Sequence, residues 1–200
     1  PTENIYVINN TSPIIFNEKR SNRSNIKYIF TLAVPYNHKN IDIIPDVILH
    51  LLKLEASDFK FIVTIPNTIE NSSVRRFYNK VQKHKLESYI ENAGSLNQVE
   101  CDYYYNKSDL VFLPTLLEVF SATYLEAMSK NIPIVTTDLG FSREICQNSA
   151  LYFTPKNSLK AAEIINTLLK DKVLYNEISE NSQLNIKKYL TLNAYQEHVD

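Results

Sequence analysis

Short apolar runs rich in β-branched and aromatic residues alternate with stretches of helical spacing along most of this chain. The runs predict six strands, at residues 26–34, 59–65, 89–92, 110–113, 134–137 and 150–153. Strands that alternate with helices are joined by right-handed crossovers, which makes them parallel and covers both faces of their sheet. The order of elements therefore predicts an α/β fold with a doubly wound parallel sheet.

The intervening stretches predict the helices. The first carries Ile41, Ile44 and Ile48 at helical spacing, continues to Leu52, and tolerates Pro45 only in its first turn. Further helices are predicted at residues 72–86, 99–106, 121–130 and 159–169, followed by a polar helical tail from about residue 174. We divide the chain into a lead-in (1–25), a main domain (26–170) and a C-terminal helical tail (171–200). The start at Pro1, with no methionine, suggests a piece cut from a longer protein or a trimmed product.

Charge and hydropathy exclude several classes of protein. The formal net charge is −1 and acids and bases are mixed, so the chain has no electrostatic footprint for nucleic acid. It has neither a membrane-spanning apolar run nor a signal-peptide layout, and we expect a soluble, cytoplasmic protein. Cys101 and Cys146 lack metal-ligand spacing and are interpreted as buried thiols. The four histidines are scattered, and no metal site is predicted.

Glu118 and Glu126 lie eight residues apart, in the loop after strand 110–113 and in the second turn of the helix that follows it. Even in a continuous helix they would be about 12 Å apart along the axis, too far to share one proton or one metal ion. The helix N-terminus between them offers free N–H groups and a positive dipole end. We therefore favour a long ligand with hydroxyls at two places and negative charge between them, such as a nucleoside diphosphate sugar.

Three segments carry a family resemblance. YNKSDLVFLPTLLEVFSATYLEAMSKNIPIVTTDLGFSREI resembles an E-x7-E region with its small-residue turn, PYNHKN a phosphate-binding loop, and NAGSLNQVECDYYYNKSD a base-side loop and short helix. With these segments in their order along the chain, residues 26–170 resemble the C-terminal donor-binding domain of GT-B-fold retaining glycosyltransferases of family 4, the glycosyl transferases group 1. The resemblance implies a Rossmann-like domain forming one half of a GT-B fold.

The resemblance also implies roles for individual residues. Lys39 would contact the donor diphosphate and act in catalysis, Glu118 would face the transferred sugar, and Glu126 would accept hydrogen bonds from the ribose. Leu96 would lie beside the base. Main-chain N–H groups of the helix mouth would hold sugar and phosphates, at Phe120, Ser121, Ala122 and Thr123.

Two further side chains are candidates for phosphate contact, His38 and Arg143. For Lys39 and Arg143 the alternative is an exposed residue in the first turn of a helix, and for His38 it is a neutral residue facing solvent. The resemblance implies no cofactor and no metal. It implies a nucleotide-sugar donor, and a glycan or lipid-linked acceptor bound through an N-terminal domain that is missing here. For the full-length protein it allows peripheral association with the inner face of the membrane, as in polysaccharide biosynthesis.

The chain departs from the family pattern at the phosphates. An arginine usually precedes the lysine of the phosphate loop, but here residues 34–37 read VPYN. Val119 and Ser121 stand where glycines are frequent, and IPNTIE replaces a Gly-rich turn. These departures leave open a degenerate domain that serves as an interaction module, and a related epimerase is a third alternative.

Other residues near these motifs are interpreted as structural. Phe120, Tyr124, Leu125 and Met128 share one helix face and predict core packing. Residues 103–105, a run of three tyrosines, suggest stacking with a base, but packing of a short helix is favoured. Asp109 is interpreted as a structural residue at the entrance of a strand.

Overall fold

A computed structural model of the chain describes residues 25–66 and 71–189. Its strands form one sheet in which every pairing is parallel. The strands are β1 (Lys27–Thr31), β2 (Phe59–Val63), β3 (Ile90–Asn92), β4 (Leu110–Leu113), β5 (Ile134–Thr137) and β6 (Ala150–Phe153). Their order across the sheet is β3-β2-β1-β4-β5-β6. The predicted Rossmann-like α/β fold is confirmed, whereas the lead-in 1–24, residues 67–70 of the IPNTIE turn and the end of the tail lie outside the described residues.

Seven α-helices connect or follow these strands in the described ranges. They are α1 (Ile44–Lys53), α2 (Ser72–His84), α3 (Gln98–Lys107), α4 (Ala122–Ser129), α5 (Gly140–Cys146), α6 (Ser158–Lys170) and α7 (Lys172–Ile186). Pro45 lies in the first turn of α1, as predicted. Two short 3₁₀ turns, Asn37–Lys39 and Ile41–Ile43, lead from β1 into α1.

Two apolar clusters cover the two faces of the sheet. Successive strand residues point to opposite faces, so Ile29 packs in one cluster with α1, α2 and α6, and Phe30 packs in the other with α3, α4 and α5. Helix α7 contributes Ile178 to the first cluster and Ile186 to the second. Both faces are therefore buried, which agrees with the nearly continuous apolar runs of the central strands.

The first two strands end earlier than the sequence predicts, because β1 stops at Thr31 rather than Val34 and β2 stops at Val63 rather than Ile65. A side chain replaces the strand ladder there: the Thr64 hydroxyl accepts a hydrogen bond from the Ala33 N–H at 3.0 Å and donates to the Ala33 carbonyl at 3.2 Å. The apolar residues Leu32 and Ala33 thereby leave the sheet and enter the loop beyond β1.

Helix α7, within the segment predicted as a helical tail, packs on the rest of the domain. Asp171 caps it by accepting hydrogen bonds from the N–H groups of Val173 and Leu174, so the helix begins two residues before the predicted start. The Asn185 side chain is buried and donates to the carbonyls of Ile145 and Cys146 at 2.8 and 3.2 Å. In the described ranges, no helix has the length and apolar character needed to cross a membrane.

Candidate functional site

A cleft opens where the loops after β1 and β4 meet. These strands are neighbours in the sheet, and the strand order reverses between them, which is the usual place for a ligand in an open α/β sheet. Both loops contribute its walls, and the lining residues are Thr31, Leu32, Ala33, Lys39, Leu113, Pro114, Thr115, Glu118 and Ser121. The cleft therefore combines apolar walls with one basic and one acidic side chain.

Backbone groups tie the two loops together. The His38 carbonyl accepts hydrogen bonds from the Leu116 N–H at 2.7 Å and from the Thr115 hydroxyl at 3.3 Å. The Asn40 side chain donates to the Pro114 carbonyl at 3.2 Å. These hydrogen bonds hold the backbones of both loops in place, so the walls of the cleft are fixed by contacts within the protein.

Lys39 and Glu118 form an ion pair within this cleft, although 79 residues separate them in the sequence. Their side chains are only 20% and 11% exposed. Lys39 closes the 3₁₀ turn after β1, and Asn40 then takes up a left-handed conformation with φ of 53°. Two residues predicted from separate motifs thus lie together, with opposite charges in contact.

The N-terminus of α4 lies at the same place, since Ser121 both lines the cleft and precedes the helix. Ser121 makes no side-chain capping hydrogen bond to α4. Four other helices, α2, α3, α6 and α7, are capped by an Asn or Asp side chain. The first turn of α4, with Ala122 and Thr123, therefore presents main-chain N–H groups that its N-cap side chain does not satisfy. Phe120, just before it, is half-buried against the second cluster.

Glu126 lies in the second turn of α4, as predicted. Its Oε2 accepts a 2.7 Å hydrogen bond from the hydroxyl of Tyr105, a fully buried residue of α3. Burial raises the pKa of Glu126, while the Tyr105 hydrogen bond acts in the opposite direction. Burial and the Glu126 charge raise the pKa of Tyr105 well above its usual value, so the phenol keeps its proton and serves as donor.

Two predicted phosphate contacts, His38 and Arg143, are not among the described residues that line the cleft. The His38 ring stacks on Tyr36 with centroids 5.8 Å apart. The Arg143 guanidinium is exposed, forms two hydrogen bonds to Asp138 at 2.7 and 2.9 Å, and lies 3.9 Å from the centre of the Tyr152 ring. The structure thus places Arg143 in a surface cluster on α5, so its predicted phosphate contact would require breaking these interactions.

The predicted base-side loop is held at its start. The Asn92 side chain accepts hydrogen bonds from the N–H groups of Ile65 and Gly94 at 3.0 and 3.1 Å, and it donates to the Ile65 carbonyl at 3.0 Å. Gly94 has a φ of 70°, which glycine adopts without strain. Leu96, two residues later, is half-buried against the second cluster.

Several residues interpreted as structural are buried or tie elements together. Tyr124, Leu125 and Met128 are fully buried. Asp109 accepts a hydrogen bond from the Tyr28 N–H at 3.0 Å and thereby ties the entrance of β4 to β1. Of the three tyrosines, Tyr103 is exposed and Tyr105 is buried, so the run mainly packs its helix.

The cysteines do not differ much from expectation. Cys146 is buried, whereas Cys101 is only half-buried, and both are free thiols. Within residues 25–66 and 71–189, no group of three or more His, Cys, Asp or Glu side chains is placed to hold a metal ion.

Sequence reasoning missed the residues that organise the site. The tyrosine run suggests stacking with a base or, preferably, packing, and neither interpretation includes the hydrogen bond from Tyr105 to Glu126. The sequence also gives no partner for Thr64, Thr115 and Asn40, which join loops in the structure. Thr64 and Thr115 do carry a signal, since a polar residue follows each apolar strand at the carboxyl edge of the sheet. The partner of such a residue depends on strand order, which the sequence does not reveal.

The sequence is similar to that of known glycosyltransferases. A family model for glycosyl transferases group 1 matches residues 14–185. The chain is 27% identical over 145 residues to sucrose synthase 1 of Hordeum vulgare, covering 65% of this chain and 18% of that protein. Sucrose synthase 2 of Oryza sativa subsp. japonica is 27% identical over 141 residues, with the same coverage of both chains.

Solved structures share the fold at low sequence identity. A mutant of S. aureus TarM, in complex with fondaparinux, alpha-GlcNAc-glycerol and UDP, has a TM-score of 0.80 at 20% identity, covering 98% of this chain and 39% of TarM. Anabaena HepE in complex with UDP-glucose has a TM-score of 0.75 at 20% identity, covering 86% and 47%. Sucrose-phosphate synthase from Thermosynechococcus elongatus has a TM-score of 0.74 at 16% identity, covering 86% and 44%. The chain thus spans less than half the length of these proteins.

Proposed function

Because this chain belongs to the glycosyl transferases group 1 family, we propose that it is the donor-binding half of a retaining glycosyltransferase. The reaction transfers a hexosyl group from a UDP- or GDP-sugar to a glycan or lipid-linked acceptor. The observation that carries the proposal is the Lys39–Glu118 pair in the cleft between the loops after β1 and β4. Glu126 lies in the second turn of α4, the helix that follows Glu118. HepE and TarM, solved with UDP-glucose and with UDP, favour a uridine nucleotide.

Lys39 and α4 act on the phosphates in this proposal. When the bond between the sugar and the diphosphate breaks, negative charge grows on the leaving nucleoside diphosphate. A fixed ammonium group in a poorly hydrated cleft stabilises that charge, as does the positive end of a helix dipole. The main-chain N–H groups of Ala122 and Thr123 donate to phosphate or sugar oxygens.

The two glutamates recognise the ends of the donor. Glu118, released from Lys39 by the diphosphate, accepts hydrogen bonds from hydroxyls of the transferred sugar. Glu126 accepts hydrogen bonds from the ribose hydroxyls, and Leu96 lies beside the base. Glu118 lies in the loop before α4 and Glu126 in the second turn of that helix, so a loop and a helix turn contact the two ends of the donor.

The acceptor site belongs to the remainder of the protein in this proposal, since this chain covers less than half of each of the related solved structures. We accordingly expect the isolated chain to bind donor and to transfer sugar weakly. Protein contacts suffice for the phosphates without a resident metal ion.

Calorimetric titration of the intact protein with UDP, GDP and ADP tests the proposal. We expect one nucleotide to bind, and Glu126→Ala to weaken that binding about tenfold or more, because a charge-assisted hydrogen bond contributes about 1.5–3 kcal/mol. Absence of binding by all three nucleotides at millimolar concentration would contradict the proposal. Unchanged affinity in the Glu126→Ala variant would contradict the role of that residue.

An interaction module is the second candidate, and one observation favours it. Exposed apolar side chains stand on the two loops beside the cleft: Val34 and Tyr36 are 48% and 56% exposed, and Leu117 and Val119 are 64% and 97% exposed. Sugar transfer by the intact protein that Glu118→Ala abolishes would exclude this candidate. Product analysis in the same assay separates transfer from epimerisation.

A further inference from the structure

We propose that Tyr105 is a positioning residue that holds the Glu126 carboxylate by one oxygen and directs the other towards the ribose hydroxyls. The inference rests on the proposed function, because it assigns the ribose to Glu126. It adds a residue from a different helix, α3, to the site on α4. Tyr105 itself does not touch the nucleotide in this arrangement.

The two carboxylate oxygens of Glu126 have different surroundings. Oε2 accepts the 2.7 Å hydrogen bond from the Tyr105 hydroxyl. The Tyr105 hydrogen bond engages this oxygen alone and not Oε1. A carboxylate has acceptor capacity on both oxygens, so a ligand hydroxyl can use the second oxygen without competing with Tyr105.

The Tyr105 ring is fixed by packing. It is fully buried and meets Phe30 of β1 edge to face, with ring centroids 5.2 Å apart and an interplanar angle of 82°. One phenol therefore joins the second turn of α4, at Glu126, to the face of the sheet.

A second contact holds α3 against α4 without the phenol. Lys130, whose side chain is 2% exposed, forms an ion pair with Asp102 of α3, with 2.6 Å between Nζ and Oδ1. Asp102 and Tyr105 are three residues apart on α3, and Glu126 and Lys130 are four apart on α4. The Tyr105–Glu126 and Asp102–Lys130 contacts therefore lie one helical turn apart along the same pair of helices. Loss of the Tyr105 hydroxyl alone should leave both helices in place.

Electrostatics supports the same role. Burial raises the pKa of Glu126, and the phenol hydrogen bond favours the ionised carboxylate. Among titratable groups, Cys101 and Tyr105 of α3 interact with Glu126, whereas Lys130, one turn further along α4, is paired with Asp102. Removing the phenol raises the pKa of Glu126 further, so the carboxylate becomes protonated at a higher pH.

The test compares UDP with 2′,3′-dideoxy-UDP, or the guanosine pair if GDP binds more tightly, by calorimetry on the intact protein. Wild-type protein should prefer the nucleotide with ribose hydroxyls about tenfold or more, and Glu126→Gln should reduce that preference. We expect Tyr105→Phe to reduce the preference about 3- to 10-fold. Tyr124→Phe is the matched control, because Tyr124 is equally buried and its hydroxyl bonds Thr136 at 2.9 Å instead.

A pH series provides a readout that mere loss of packing would not move. In Tyr105→Phe, affinity for UDP should begin to fall at a higher pH on acidification than in wild type, while the dideoxy nucleotide shows no such displacement. The preference is a ratio measured on one sample, so partial unfolding lowers both affinities and leaves it unchanged.

The possible outcomes are distinct. An unchanged preference and pH profile in Tyr105→Phe, with Glu126→Gln altered, overturns the positioning role and leaves the proposed function standing. Equal effects of Tyr105→Phe and Tyr124→Phe also overturn it. If wild-type protein binds neither nucleotide of either pair, the proposed function is wrong and the inference falls with it.

Discussion

Lys39 is the one cation among the described residues that line the cleft, and Glu118 neutralises it. A diphosphate must compete with that carboxylate for the same ammonium group. We expect Glu118→Gln to bind UDP about fivefold more tightly, since removing the competing charge strengthens the charge-assisted bonds to phosphate. UDP carries no transferred sugar, so loss of the proposed sugar contact does not enter the measurement.

Calorimetry with UDP measures this change, and a sugar-transfer assay of the intact protein should show loss of activity in the same variant. Exposed Glu144 offers a control, since Glu144→Gln on α5 should leave UDP affinity unchanged. Weaker UDP binding in Glu118→Gln would show that the carboxylate supports the lysine rather than competing with the phosphate.

Glu126 should lower the stability of the fold at neutral pH. Its pKa is raised by burial in the folded chain, so the protonated form is favoured there, and this contribution to stability is lost as the pH rises through the folded pKa. Glu126→Gln keeps the acceptor for Tyr105 and removes the charge. We expect its Tm at pH 7 to rise by about 2–4 °C, and the difference from wild type to shrink on acidification. Calorimetric melting at several pH values checks both expectations; a constant difference would contradict the titration argument.

Individual site residues were predictable where local chemistry marks them. Glu118, Ser121 and Lys39 all follow strands, at the edge where ligands bind in such sheets, and the structure brings them to one cleft. The direct contact between Lys39 and Glu118 was not predictable, because it requires that β1 and β4 be neighbours. The Tyr105 hydroxyl was not predictable either, since a tyrosine at a buried helix position is indistinguishable in sequence from a packing residue.

Asn71 connects helix α2 to the loop after β1, which carries Lys39. Its side chain caps α2 by accepting from the Val74 N–H at 3.0 Å and donates to the Pro35 carbonyl at 2.7 Å. We expect Asn71→Ala to destabilise the fold by about 2 kcal/mol through the lost cap and loop bond, and to weaken UDP binding by loosening the loop that carries Lys39.

Asn157 offers a matched control at the start of α6, where it accepts from the Lys160 N–H at 2.9 Å. Asn157→Ala should cost about 1 kcal/mol and leave UDP affinity unchanged. Urea unfolding and calorimetry measure the two effects. Equal UDP affinity in both variants would show that the Pro35 contact does not position the loop.

Strands and helices were predicted better by type than by boundary. The last three strands agree in position with the prediction, and Pro114, Pro133 and Asp138 mark the end of β4 and the two limits of β5 in the sequence. The first two strands were predicted too long, because Leu32, Ala33 and Ile65 are apolar but a threonine side chain ends the ladder. At the ends of β1 and β2, apolar residues therefore indicate burial and not pairing in the sheet.

At the scale of the whole molecule, α7 should unfold together with the sheet. Asn185 is 5% exposed and supports the carbonyls of Ile145 and Cys146, so Asn185→Ala leaves buried acceptors without their donor. We expect a loss of about 2–3 kcal/mol in one cooperative urea transition, seen alike by circular dichroism and by amide hydrogen exchange in β4. Leu184→Ala, at a residue 63% exposed, should change stability by less than about 0.5 kcal/mol. Two separate transitions would show that α7 folds independently.

The sequence predicted the parallel pairing of the sheet but not the order of its strands. Alternation of strands and helices established parallel pairing, but it leaves several strand orders available, and the order determines which loops share a cleft. The order β3-β2-β1-β4-β5-β6 places β1 and β4 side by side, with their loops 79 residues apart along the chain at Lys39 and Glu118. Such partners are recognisable only after the order is known.

The Lys39–Glu118 contact also bears on how a nucleotide reaches the cleft. Seen from several Debye lengths away, the two opposite charges cancel, and the chain as a whole carries a formal charge of only −1. Little long-range field then steers an anionic ligand inward, so capture depends on random collision and local rearrangement, with a rate that changes little with ionic strength. In the proposed function, selection of the donor therefore occurs after encounter, when a phosphate replaces the Glu118 carboxylate at Lys39.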